Sequence, residues 1–211
     1  MPEKLLSGEH HKQCVKGSRF LSSFDRDWEL LISSVGPCRL NISLELEPYQ
    51  ALIKSVIYQQ LRPTTASTIL NKFKKNFDNH FPTASQILRC SEEKSLACGI
   101  SSNKLKTIIE ISSQYESGNF ISQKEIKKLE NMEIIDKLVA IKGIGNWTAQ
   151  MLMIFNLGKI DIFPLTDFSL NKHYAIFKKT PLPLSVAQLA KASSQWKPYR
   201  SVAAWYLWHY K

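Results

Sequence analysis

The chain has 211 residues, with 28 lysines and arginines against 18 aspartates and glutamates, a formal charge of +10 and a pI near 9.4. Its length and 44% hydrophobic content support a globular fold without staples, and the charge favours a polyanionic partner, nucleic acid first. Cys14, Cys38, Cys90 and Cys98 show no C-x-x-C pair and no matching histidine pair, which excludes the usual zinc and iron-sulfur spacings. The thiols are expected to be reduced, in the core or at the surface. The N-terminus is charged almost from its first residue, and no apolar run of about eighteen residues exists to cross a membrane. These features predict an intracellular, soluble protein with no membrane partner, cytoplasmic and nucleoid-associated if bacterial, nuclear if eukaryotic.

In chain order, PYQALIKSVIYQQL sets Tyr49, Leu52, Ile53, Val56, Ile57, Gln60 and Leu61 at helical spacing, predicting a helix entered at Pro48 and stopping near Arg62-Pro63. A second helix is predicted from about Thr64 to Phe77, then short helical pieces across Ile87 to Leu96. Leu105, Ile108, Ile109, Ser112 and Tyr115 share a face of a further helix ending at Gly118. Ile134, Ile135, Leu138 and Val139 form another apolar face, and Trp147, Met151, Ile154 and Phe155 form one after two glycines. SVAAWYLWHY is apolar nearly all round, which predicts burial between neighbours. Only CRLNISLEL, near Cys38, suggests a short extended piece. The fold class expected is all-α.

The glycines lie in AIKGIGNWTAQM, from Ala140 to Met151. An I-K-G-I-G turn between helices uses glycine for positive φ or for close backbone approach, and it aims successive N–H groups outward at the start of the second helix. With Lys142 beside it and the helix dipole behind it, a phosphate is a natural ligand. A plain helix-helix turn is the alternative, and the two glycines alone leave both open.

LVAIKGIGNWTAQMLMIF resembles the helix-hairpin-helix motif of DNA base-excision glycosylases, with Leu138, Ile141, Gly143, Ile144, Gly145, Thr148 and Ala149 matching the pattern. DIFPLTDFSLNKHY places Asp167 where that superfamily has its catalytic aspartate. VIYQQL and WKPYRSVAAWYLW are similar to motifs of the alkylation-repair branch, 3-methyladenine DNA glycosylase II. These four blocks span about residues 48 to 208.

The resemblance implies a two-lobed fold with a DNA-binding cleft between the lobes. One lobe would hold about residues 48–164 with the hairpin 141–145, and the other about 20–47 plus 165–211; the extra N-terminal sheet domain of longer relatives is expected to be absent. Asp167 is implied as the catalytic residue, near the first turn of a helix carrying Leu170, Tyr174 and Phe177. A capping role alone remains the alternative on local sequence. Trp147, Trp208, Phe168 and Tyr58 are implied for the base pocket, where electron-rich rings attract a cationic purine by roughly 0.5 to 2 kcal/mol beyond stacking. Trp205 reads as core. Gln60, with Leu61, is implied as the wedge inserted into the base stack; Gln59 reads either as part of that loop or as a polar helix end.

Lys142, Gly143, Ile144, Gly145, Thr148 and Arg62 are implied for DNA phosphate. Arg62-Pro63 departs from the small hydroxyl residue usual after QQL, which leaves the loop's shape open. Arg200 would pair with an acid or reach the DNA backbone. Strand-cutting relatives carry lysine where this chain has Trp147, so the resemblance implies a monofunctional enzyme. It implies no cofactor, with room at the hairpin for a structural monovalent cation, and a monomer acting on double-stranded DNA with alkylated bases. The alternatives are a non-enzymatic helix-hairpin-helix DNA-binding module, or a glycosylase for deaminated or oxidised bases.

Overall fold

A computed structural model describes residues 8–43, 46–180 and 184–210. Among them the regular structure is all helical: α1 (Gly8–Ser22), α2 (Arg26–Val35), α3 (Pro48–Tyr58), α4 (Pro63–Lys75), α5 (Ala84–Arg89), α6 (Glu92–Ala97), α7 (Ser102–Glu116), α8 (Gln123–Ile126), α9 (Asn131–Val139), α10 (Asn146–Phe155), α11 (Phe168–Phe177), α12 (Val186–Ser194) and α13 (Arg200–Trp208). The described part of CRLNISLEL is irregular, and its residues 44–45 lie outside the described residues. The chain forms two compact units, Ser43–Leu152 on one side and Met1–Ile42 with Met153–Lys211 on the other.

In the first of these units α7 is the central helix, packing against α3, α5 and α6. The spacing that predicted α3 is the spacing that buries it: Tyr49, Leu52, Ile53, Val56 and Ile57 all lie in the core. Tyr49 closes the arrangement by stacking near Tyr115 at 3.9 Å between ring centroids and donating its hydroxyl to Pro82 C=O at 3.1 Å. Side-chain caps start α5 and α7. Thr83 and Gln86 form a reciprocal capping box on α5, and Ser101 accepts from Lys104 N–H at the start of α7.

The other unit is organised around α13, whose residues Ser201 to Leu207 are all buried, as its all-round apolar sequence requires. α13 packs against α1, α2 and α11. A Cβ on Gly17 would meet Val202 Cγ2 at 2.9 Å, so α1 approaches α13 only because that position lacks a side chain. Trp196 sits among Trp28, Phe163 and Tyr174 in edge-on contacts, and Lys178 joins α11 to the start of α2 by bonding Asp25 at 2.6 Å and Asp27 at 2.7 Å. All four cysteines are free thiols.

The second division falls between Leu152 and Met153, inside α10, whereas the sequence placed it near residue 164. The last turn of α10 belongs with α13 because Phe155 stacks on Trp208, with centroids 5.7 Å apart. The buried face of α10 also differs from expectation. Thr148, Ala149, Leu152, Met153 and Ile154 are buried, while Trp147 and Phe155 remain 38% and 37% exposed. Short side chains at 148 and 149 face the neighbouring structure, which turns the stripe containing Trp147, Met151 and Phe155 outward.

Candidate active site and nucleic-acid interface

Helix α9 ends at Val139, and the chain turns through the hairpin before α10 starts at Asn146. Ile141 and Ile144 anchor the turn with buried side chains, and Ile144 donates its N–H to Ile141 C=O at 3.0 Å. The two glycines are unlike. Gly143 has φ +92°, and a Cβ there would lie 2.0 Å from Thr107 Oγ1. Gly145 has no positive φ and would meet nothing within 4 Å. Gly143 is therefore required by the fold, while Gly145 keeps its outer side bare.

Two of the residues expected at phosphate are engaged within the protein. Ile144 spends its N–H on the turn itself, and Thr148 is buried with its hydroxyl accepting from Gln59 Nε2 at 2.9 Å. What faces outward is the exposed Lys142, the backbone at Gly145 and the first turn of α10, whose N–H groups carry the positive end of the helix dipole. Such a surface suits an anion.

The predicted wedge loop belongs to the same unit. α3 ends at Tyr58 rather than continuing through Leu61, and Gln60 adopts φ +55° with its side chain exposed. A left-handed glutamine costs about 1–2 kcal/mol, so its neighbours must hold it there. Leu61 is half-buried, and its N–H donates to Tyr58 C=O at 3.3 Å. Pro63 occupies the first turn of α4, where its fixed φ starts the helix, and the exposed Arg62 precedes it. That resolves the shape of the Arg62-Pro63 departure. Tyr58 is half-buried and hydrogen-bonds Ser67 Oγ at 2.8 Å, which ties its ring to α4.

In this loop's support the sequence missed Lys104 and the contact made by Gln59. Gln59 is the partner of Thr148, and Lys104 Nζ donates to Ile57 C=O at 2.9 Å and Gln59 C=O at 2.8 Å. Burial pulls the Lys104 ammonium below the usual lysine range. No local pattern announces either contact.

In the other unit Asp167 caps α11. Its Oδ1 accepts from Leu170 N–H at 2.8 Å, its own N–H donates to Pro164 C=O at 3.0 Å, and only 9% of the residue is exposed. It lines a cavity of about 590 Å³ together with Leu165, Thr166, Phe168, Asn171, Lys172 and Val186. Phe168 is 81% exposed, an unusual position for a phenyl ring that the protein itself does not cover. Asn171 holds the chain at Leu184 from both sides, donating to its C=O at 2.8 Å and accepting from its N–H at 3.2 Å. Asn171 and Lys172 were not singled out by sequence.

Trp208 is half-buried against Phe155, and Trp205 is buried. Arg200 is engaged by Asp161, with Nε to Oδ1 at 2.6 Å and a second nitrogen to Oδ2 at 3.0 Å and to Asp161 C=O at 3.1 Å. It pairs with an acid, as one of its two expected roles held. Among the described residues no group of three or more histidine, cysteine, aspartate or glutamate side chains is placed to hold a metal, and no helix is long and apolar enough to cross a membrane.

Comparison with known proteins agrees with this geometry. The family model of HhH-GPD superfamily base excision DNA repair proteins matches residues 53–193. The chain is 38% identical to DNA-3-methyladenine glycosylase 1 of Schizosaccharomyces pombe over 196 residues, covering 92% of this chain and 86% of that one. It is 33% identical to alkylbase DNA glycosidase-like protein mag2 of the same organism, covering 92% of each. The solved structure of an S. pombe 3-methyladenine DNA glycosylase in complex with abasic DNA superposes with a TM-score of 0.85 at 37% identity, covering 92% of this chain and 95% of that chain. A DNA-3-methyladenine glycosidase from Bacillus halodurans gives 0.79 at 28% identity, covering 92% and 88%.

Proposed function

The chain belongs to the HhH-GPD superfamily of base excision DNA repair proteins, and from that membership we propose that it is a DNA glycosylase that removes alkylated purines of the 3-methyladenine type. The observation that carries this reading is Asp167, a carboxylate fixed at 2.8 Å from Leu170 N–H on the wall of a cavity of about 590 Å³.

The hairpin and the first turn of α10 hold a phosphate of double-stranded DNA, with Lys142 adding charge. The damaged nucleotide leaves the duplex at a cost of roughly a few kcal/mol, and Gln60 fills the space it vacates. Positive charge builds on the sugar as the bond from C1′ to the base nitrogen breaks. The Asp167 carboxylate stabilises that charge and orients a water whose oxygen bonds to C1′, its proton passing to the carboxylate or to solvent. The electron pair of the broken bond neutralises the alkylated, cationic base, so the leaving group needs no acid. Phe168 and Trp208 offer aromatic faces to that cation. An indole at 147 has no amine to form a Schiff base, so the strand stays intact. A structural cation at the hairpin would take backbone carbonyl oxygens, brace the turn and supply no step of the chemistry. The protein acts as an intracellular monomer.

Duplexes carrying single defined lesions, incubated with the protein and then treated with or without alkali, test this. The wild type should give alkali-dependent cleavage, and Asp167→Asn should lower it by about 10²–10³-fold while its amide oxygen keeps the cap. Excision by Asp167→Asn at the wild-type rate removes Asp167 as catalyst. Strand cleavage without alkali refutes the monofunctional reading, and DNA binding with no lesion released favours a non-enzymatic module.

A further inference from the structure

Gln60 is an exposed non-glycine residue at φ +55°. The segment before it is held twice. Lys104 Nζ bonds the last carbonyls of α3, at Ile57 and Gln59, and the Gln59 side chain reaches Thr148 on the first turn of α10. Pro63 fixes the chain on the other side by starting α4. With both flanks fixed, the short path between them imposes the left-handed turn that projects Gln60 outward.

Lys104 forms no ion pair with a carboxylate among the described residues, although α7 carries Glu110 and Glu116 and the chain offers other acids. Its charge is committed to backbone carbonyls at the negative end of the α3 dipole. A half-buried lysine in a protein of charge +10 would ordinarily be assigned to DNA phosphate; here two of its three N–H donors are already spent inward.

We propose that Lys104, seconded by Gln59, is a positioning residue that holds Gln60 in its inserting conformation, acting on the base-extrusion step through the loop rather than by contact with DNA. This rests on reading Gln60 as the wedge. It also links the wedge to the hairpin, because Gln59 binds the helix that the hairpin starts.

The test uses the full chain, with a duplex carrying 2-aminopurine next to a tetrahydrofuran abasic analogue as probe of stack insertion, and a duplex with one 7-methylguanine for single-turnover excision. Lys104→Met should excise about tenfold more slowly and lose most of the 2-aminopurine signal, Lys104→Arg should restore both in part, and Gln60→Ala should be slow alone. The double variant Lys104→Met/Gln60→Ala should match Gln60→Ala within about twofold, since one residue acts through the other. The salt dependence of binding should keep its wild-type slope, whereas a lost phosphate contact would lower it by about one. Gln60→Ala at the wild-type rate refutes the wedge reading. If Gln60→Ala is slow, but Lys104→Met is either fast or slows Gln60→Ala further by its full factor, the wedge stands and the positioning role of Lys104 falls. Lys104→Arg and the Gln59→Ala variant, which leaves the α7 lysine in place, carry the same comparison should Lys104→Met fold poorly.

Discussion

Gly143→Ala should unfold the hairpin's support without touching a group that faces outward. At φ +92° an alanine pays about 1–2 kcal/mol in left-handed backbone strain. The new methyl would also sit 2.0 Å from Thr107 Oγ1, 2.9 Å from its Cγ2 and 3.0 Å from its Cβ. No rotation about χ1 clears all three, because Cβ does not move, and Thr107 is buried with its hydroxyl donating to Asn103 C=O at 3.1 Å. Overpacking of that kind costs about 1–3 kcal/mol, so the total is about 2–5 kcal/mol. For a chain of this size that lowers the melting temperature by about 5–15 °C, measurable by circular dichroism. Thr107→Ala added to Gly143→Ala should relieve the overlap with Oγ1 and Cγ2 and leave the contact at Cβ and the strain. Gly145→Ala, with no positive φ and no neighbour within 4 Å, should melt within about 0.5 kcal/mol of wild type yet bind duplex DNA more weakly. Gly143→Ala melting like the wild type, or showing no relief from Thr107→Ala, would refute the steric account.

Two further outcomes follow from exposed and half-buried charge. Arg62→Ala should weaken duplex binding and reduce the slope of log affinity against log salt by about one, as fluorescence anisotropy would show; an unchanged slope removes Arg62 from the interface. Burial pushes the Asp25 carboxyl up, but Lys178 and the Trp28 N–H outweigh it and hold it below the usual carboxylate range. A depressed acid adds stability that is full above its unfolded value near 3.8 and is lost as pH falls through the lower folded value. Lys178→Met should therefore flatten the acid limb of the stability curve below about pH 4, at a cost near 1 kcal/mol at neutral pH after allowance for solvent screening, and an unaltered limb in denaturant titrations would contradict the assignment.

What could be read from the sequence was local in origin. The core faces of α3 and α13 were legible, and those of α7 and α9 in part, Tyr115 and Val139 being exposed, because apolar spacing at helical period is written within a few residues of itself. The α10 face was misread for a physical reason: periodicity says which residues share a side of a helix, not whether anything covers it. Trp147 and Phe155 do share a side, and that side is only partly covered. The contacts of Gln59, Lys104 and Thr107 escaped notice because their partners lie 89, 45 and 36 residues away, beyond any local pattern. The left-handed Gln60 escaped too, since glutamine gives no turn signal and the conformation is imposed from outside the loop.

Asp167 posed a different problem, because sequence offered helix cap and catalyst as rival readings. The geometry makes them compatible. A carboxylate has two oxygens, and the bond from Leu170 N–H to Oδ1 fixes the rotamer and the depth of the group on the cavity wall. Catalysis by a fixed charge depends on that orientation being set before the sugar becomes cationic, so in the proposed role of Asp167 the cap is the means by which the acid would be preorganised. A capping signature next to an exposed ring such as Phe168 is what the proposed site adds to an ordinary helix start.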